Sequence, residues 1–121
     1  MPHIHAQYIQ NPTLDDLLTR NKTALRKIIA AGIGYPEQQV AFIPERIPIE
    51  AADVADNMMA VEFVIDAGSR TPQDLLGELA RNITERIAQE CHGFSGVEFG
   101  VWIRPHVPNG FASHAPDDPQ E

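Results

Sequence analysis

Cysteine is almost absent from this 121-residue chain: Cys91 stands alone. One thiol cannot close an intramolecular disulfide, and such sparing use fits a reducing compartment. Basic residues are also scarce, 9 Lys and Arg against 17 Asp and Glu, for a formal charge of −8. That balance argues against nucleic acid or an anionic membrane surface as the main partner. No apolar run approaches membrane-spanning length, and the N-terminus lacks a basic region followed by an apolar stretch. Neither a phosphate-cradling glycine loop nor a dinucleotide fingerprint is present. What remains is ordinary globular composition, 43% hydrophobic and 21% charged, in a length that supports one domain with a real core. The expectation is a soluble, cytoplasmic chain with one domain over residues 1–114. The acidic, proline-containing stretch 115–121 reads as a flexible tail.

The chain repeats itself. Thr13-Leu14-Asp15-Asp16-Leu17-Leu18 matches Thr71-Pro72-Gln73-Asp74-Leu75-Leu76 at an offset of 71 − 13 = 58 residues. The same offset pairs Leu25 with Ile83 and Ile29 with Ile87, and it lays a strand beginning at Pro2 over one beginning at Ala60. Each threonine reads as an N-cap with an acidic residue three positions on, and Pro72 as the first helical residue. Behind these starts, Leu14, Leu17, Leu18, Leu25, Ile28 and Ile29 form one apolar stripe. Leu75, Leu76, Leu79, Ile83, Ile87 and Ala88 form another, at spacings of three and four. Gly32-Ile33-Gly34 with Pro36 ends the first helix and Gly93 the second.

Strand-like runs follow at 40–43 and 97–103, and a further one at 60–65 opens the second unit. The order is β-α-β, linker, β-α-β, in units of about 2–58 and 60–114. Crossovers of this length favour parallel pairing within each unit. The fold class is therefore α+β: a two-layer sandwich with a four-stranded mixed sheet and both helices on one face. The other face is expected to carry apolar or aromatic groups such as Phe42, Phe63 and Trp102, which self-association would cover. Pro44 and Pro48 limit regular pairing through residues 44–49 to a sheet edge.

Pro2 stands directly behind the initiator methionine, at the head of the alternating run Pro2-His3-Ile4-His5-Ala6-Gln7-Tyr8-Ile9. A small second residue usually lets Met1 be trimmed, which would turn the proline nitrogen from an amide into a secondary amine. The reference pKa of an α-amino group is about 7.7–8.0. An apolar pocket disfavours the charged form and lowers that value, so a freed Pro2 suits general-base work near neutrality.

Pro2, the two β-α-β units and the length together resemble the tautomerase superfamily. Gly34-Tyr35-Pro36-Glu37-Gln38-Gln39-Val40-Ala41 is similar to the first helix–strand junction of the macrophage migration inhibitory factor branch. Met1-Pro2-His3 and Ile65-Asp66-Ala67-Gly68 look more like the 5-carboxymethyl-2-hydroxymuconate isomerase branch. The resemblance implies a homotrimer with an active site at each subunit interface, acting without a cofactor on a small keto or enol compound. In that reading Pro2 is the base, Ala67 offers a backbone group to the pocket, and Phe111 forms an apolar wall. Glu98 and Gly100 would face a neighbour's pocket. Two departures stand out: Tyr35 replaces the lysine of the inhibitory-factor branch, and residues 40–43 lack the arginine of the muconate isomerases. Tyr35 is then a candidate hydrogen-bond donor to a substrate oxygen. Arg46, Arg70 and Arg104 are the candidate cations for a substrate carboxylate. Arg104 is preferred because it shares side-chain parity with Glu98 and Gly100.

The remaining chemistry-bearing residues read more plainly. His3 and His5 share a strand face, but the sequence offers them only His92, His106 or His114 as a third ligand, so no metal site is expected. Cys91 and His92 are sequence neighbours whose side chains point apart on a helix, which leaves Cys91 a partly buried thiol.

Overall fold

The computed structural model describes residues 2–48, 59–68, 71–105, 112 and 114–116. Strand β1 spans His3–Ile9, helix α1 Pro12–Ile33 and strand β2 Ala41–Ile47. Strand β3 spans Val61–Ala67, helix α2 Leu76–Glu90 and strand β4 Phe99–Pro105. The strands form one sheet in the order β2-β1-β3-β4. Pairing is parallel within each β-α-β unit and antiparallel between β1 and β3. Adding 58 to the bounds of β1 and β2 reproduces those of β3 and β4, since 3 + 58 = 61 and 41 + 58 = 99. The repeat is therefore a pseudo-twofold, with its axis between β1 and β3. Among the described residues no helix is long and apolar enough to cross a membrane.

The register decides which face of each strand meets the helices. Ile4 pairs with Phe42 and with Ile65, and Ala6 with Phe63. Ile4, Ala6, Tyr8, Val61, Phe63 and Ile65 join Leu25, Ile29, Ile83 and Ile87 in one buried cluster, with Phe42, Phe99, Val101 and Ile103 packed against it. Helix α1 packs on α2 and β2, and α2 on β4. At the helix crossing, a Cβ on Gly32 would collide with Ile83, so glycine sets how closely α1 approaches α2. Two aromatics expected on the open face, Phe42 and Phe63, lie on the helix face instead; only Trp102 is left, 61% exposed. The middle of the open face is polar but for Val64: His3, His5 and Gln7 on β1 pair with Asp66, Val64 and Glu62 on β3.

The helix starts also differ from expectation. The N-cap of α1 is Asn11, whose Oδ1 accepts from Thr13 N at 2.8 Å and Leu14 N at 3.4 Å, with Pro12 in the first turn. Thr13 is already inside the helix. In the second unit Gln73–Leu75 makes a 3-10 turn and α2 begins at Leu76 without a side-chain cap. Thr71 is instead 2% exposed, and its hydroxyl finds no partner among the described residues. The helix stop is as expected for α1, where Gly34 adopts φ 80° and its N–H bonds back to Ala30 and Ala31.

One buried polar residue ties the halves together. Asn21 is 6% exposed, and its Nδ2 donates to Leu17 O and to His92 O, both at 2.9 Å. Asn21→Ala would strand the His92 carbonyl, so stability to urea should fall by about 1–3 kcal/mol. An unchanged unfolding midpoint would show that this cross-link carries no weight.

Candidate functional site

One end of the sheet collects most of the residues of interest. Because β1 and β2 start there while β3 and β4 finish there, Pro2, Ala41, Ala67 and Arg104 share that end. Pro2 is buried, and its carbonyl accepts from Ala41 N at 3.1 Å, fastening it to the edge strand. His3 pairs with Asp66, so continuing that register brings Pro2 opposite Ala67. By strand alternation Pro2 falls on the helix side of the sheet, with Ile4 and Ala6.

Tyr35 reaches the same end from the C-terminus of α1. Its N–H donates to Ala30 O at 2.9 Å as the chain leaves the helix. Its hydroxyl lies against Gly68, directly after β3, where an added Cβ would collide with it. Gly68 therefore joins the candidate residues, because a side chain there would displace Tyr35 from the strand end. In the sequence Gly68 stands only as the last residue of the run Ile65-Asp66-Ala67-Gly68, with no role of its own. A cleft of about 450 Å³ opens beside Tyr35, lined also by Ile33, Gly34, Pro36, Gln39 and Pro72. Pro2 does not line it.

The other proposed positions separate. Gly100 is in β4 and Glu98 just before it, at the opposite end of the sheet from Pro2. Within one subunit they cannot meet Pro2. Arg104 is at the Pro2 end but on the open face, where its Nε donates to Asp66 Oδ1 at 3.0 Å and an Nη pairs with the same oxygen at 2.9 Å. Arg46 is at the far end of β2, paired to Asp15 at 3.1 Å. Phe111, Arg70 and His106 lie outside the described residues.

Arg46 instead borders a second cleft, of about 350 Å³, between α1 and the β2 edge, together with Tyr8, Asp15, Lys22 and Phe42. The Tyr8 hydroxyl donates to Asp15 Oδ1 at 2.6 Å. Burial first, then that hydrogen bond and the Asp15 charge, pushes the phenol up to about 12, against a small opposing pull from Arg46. Cys91 is 3% exposed, and burial pushes its thiol up to about 11, so it is an inert core group rather than a nucleophile.

In the open face, Asp66 is the hub. His5 Nε2 stands 3.0 Å from Asp66 Oδ2 while Arg104 holds Oδ1. On the other side of the His5 ring, Nδ1 is 3.4 Å from Glu45 Oε2. That approach lacks hydrogen-bond geometry, and Nδ1 is buried without a partner.

No protein-family model matches the chain, and no curated protein matches its sequence. Solved structures do resemble it. Pt0534, inactivated by 2-oxo-3-pentynoate, superposes with a TM-score of 0.61 at 14% identity, covering 92% of this chain and 90% of that one. Native fused 4-OT gives 0.56 at 16% identity, over 92% and 91% of the two chains. Malonate semialdehyde decarboxylase gives 0.60 at 9% identity, over 93% and 90%. These likenesses show that the chain shares the fold of these three proteins.

The Tyr8 environment generates a test. A folded-state value above the unfolded 10.0 means that the neutral phenol stabilises the fold fully below about pH 10, a contribution lost as pH rises toward 12. Ultraviolet titration should show one of the two phenols ionising only near pH 12, and Tyr8→Phe should delete that step. A Tyr8 phenolate forming near pH 10 in folded protein would contradict the buried Tyr8–Asp15 contact.

Proposed function

We propose that this chain is a cofactor-independent tautomerase or isomerase of a small keto or enol compound, with Pro2 as its general base. The reading rests on the fold and, above all, on where Pro2 sits: buried at the sheet end, fixed by its carbonyl to Ala41. It requires loss of Met1, which gives the ring nitrogen a lone pair. Burial beside Ile4 and Ala67 would favour the neutral amine.

The amine takes a proton from the carbon next to a substrate carbonyl. The C–H electron pair becomes the C=C bond of an enolate, and the proton returns at another carbon or at oxygen. The oxyanion needs a donor in place beforehand. The Tyr35 hydroxyl or a backbone N–H near Ala67 and Gly68 serves. Glu98 and Gly100 complete the pocket only from a second copy, so the reading entails an assembly, a homotrimer on the family pattern. Fused 4-OT, a protein of similar fold, is described as a trimer.

A second reading, a non-catalytic trimeric binding protein, is favoured by one observation: Arg46 and Arg104 are both already paired to carboxylates. Neither is an uncommitted cation for a substrate carboxylate.

Intact mass establishes whether Met1 is lost, and turnover of phenylpyruvate-type and 2-hydroxymuconate-type enols then decides between the readings. Pro2→Ala should lower kcat about 10²–10⁴-fold, the usual contribution of a positioned base. Equal turnover in wild type and Pro2→Ala would overturn the catalytic reading. A processed trimer with no turnover of either enol would favour the binding protein.

A further inference from the structure

We propose that His3, His5 and Asp66 form a binding site for a borderline divalent cation of the Zn²⁺ type on the open sheet face. The inference is independent of the tautomerase reading, because none of the three ligands takes part in it. One donor atom from each side chain lies within 4.8 Å of the other two. The grouping follows from the ladder: His3 and His5 alternate onto one face of β1, and antiparallel pairing sets Asp66 directly across from His3. The sequence offered only His92, His106 or His114 as a third ligand; the register supplies a carboxylate instead.

Two imidazoles and one carboxylate suit Zn²⁺ or Fe²⁺ and leave positions open for water. Ligand atoms around a tetrahedral Zn²⁺ at about 2.0–2.1 Å stand roughly 3.3 Å apart. The His5 Nε2 to Asp66 Oδ2 separation of 3.0 Å is already near that value. Only His3 has to swing inward, and its ring centroid is 6.0 Å from that of His5. In the single subunit the side chains of His5 and Asp66 keep 20% and 19% of their surface exposed, so an ion reaches them there from solvent.

The surroundings supply what a ligated histidine needs. A neutral imidazole carries one N–H, yet both His5 nitrogens face carboxylates, Asp66 on one side and Glu45 on the other. A metal on Nε2 puts the proton on Nδ1, facing Glu45 Oε2 at 3.4 Å, and a small rotation of the ring toward the ion is needed to close that contact. This is the carboxylate–histidine–metal arrangement that fixes tautomer and ring orientation. Glu45 is itself steadied by Gln7 Nε2 at 3.0 Å. Arg104 holds Asp66 Oδ1 and leaves Oδ2 for the ion.

The test uses untagged, chelator-stripped full chain titrated with Zn²⁺ against a chromophoric chelator, and with Co²⁺ read by its visible d–d bands. One ion per chain should bind, and Zn²⁺ should raise Tm through linkage. Glu45→Gln should weaken binding about 10-fold, as for an outer partner, while His3→Ala and Asp66→Asn should cost more than about 100-fold. His92→Ala, in the exposed turn after α2, should bind as wild type. Each variant is first checked for a native circular dichroism spectrum. Should one fail to fold, wild-type stoichiometry and the other ligand variant still decide. Absence of stoichiometric binding by wild type, or undiminished affinity in folded His3→Ala or Asp66→Asn, overturns the site.

Discussion

The antiparallel ladder between β1 and β3 is the constraint on which the rest depends. Each β-α-β unit alone would have two strands and one helix, too little sheet to bury either helix face. Pairing β1 with β3 joins the units across a pseudo-twofold and merges their apolar stripes into one cluster running from Ile4 to Ile87. The same ladder fixes where the candidate residues fall. It sets Pro2 beside Ala67, sets His3 opposite Asp66, and sends Glu98 and Gly100 to the far end.

A period-two alternation then divides the sheet into two environments. The helix side holds fully buried groups such as Phe63 and Ile65. The open side joins a polar centre, His5–Asp66–Arg104, to apolar positions such as Val64 and Trp102. Trp102, 61% exposed, is the large apolar side chain that this face leaves to solvent in the single subunit. The polar centre also gives that face specific chemistry, which a plain adhesive patch would lack.

Much of this architecture was legible in the sequence because the duplication is long-range and regular. The 58-residue offset gives both units' strand positions, and Pro44 correctly restricts β2 to an edge. The failures are local competition and register. Thr13 lost the cap to Asn11 because Pro12 suits the first turn, and Thr71 was drawn into the core, delaying α2 by a 3-10 turn. Phe42 and Phe63 were placed on the open face because strand parity leaves the buried side undetermined until pairing is known. The proximity of Asp66 to His3 has the same origin. Within the candidate site, Pro2, Tyr35 and Ala67 do share one end of the sheet, but Gly68 announced itself only through contact with Tyr35.

The central claim is that the Pro2 nitrogen, once freed, sits where its charged form is disfavoured. A nitrogen NMR titration of the processed chain measures this directly. The account predicts an apparent pKa below the free α-amino range of about 7.7–8.0. A midpoint within or above that range, or a nitrogen that never titrates because Met1 is retained, would contradict it.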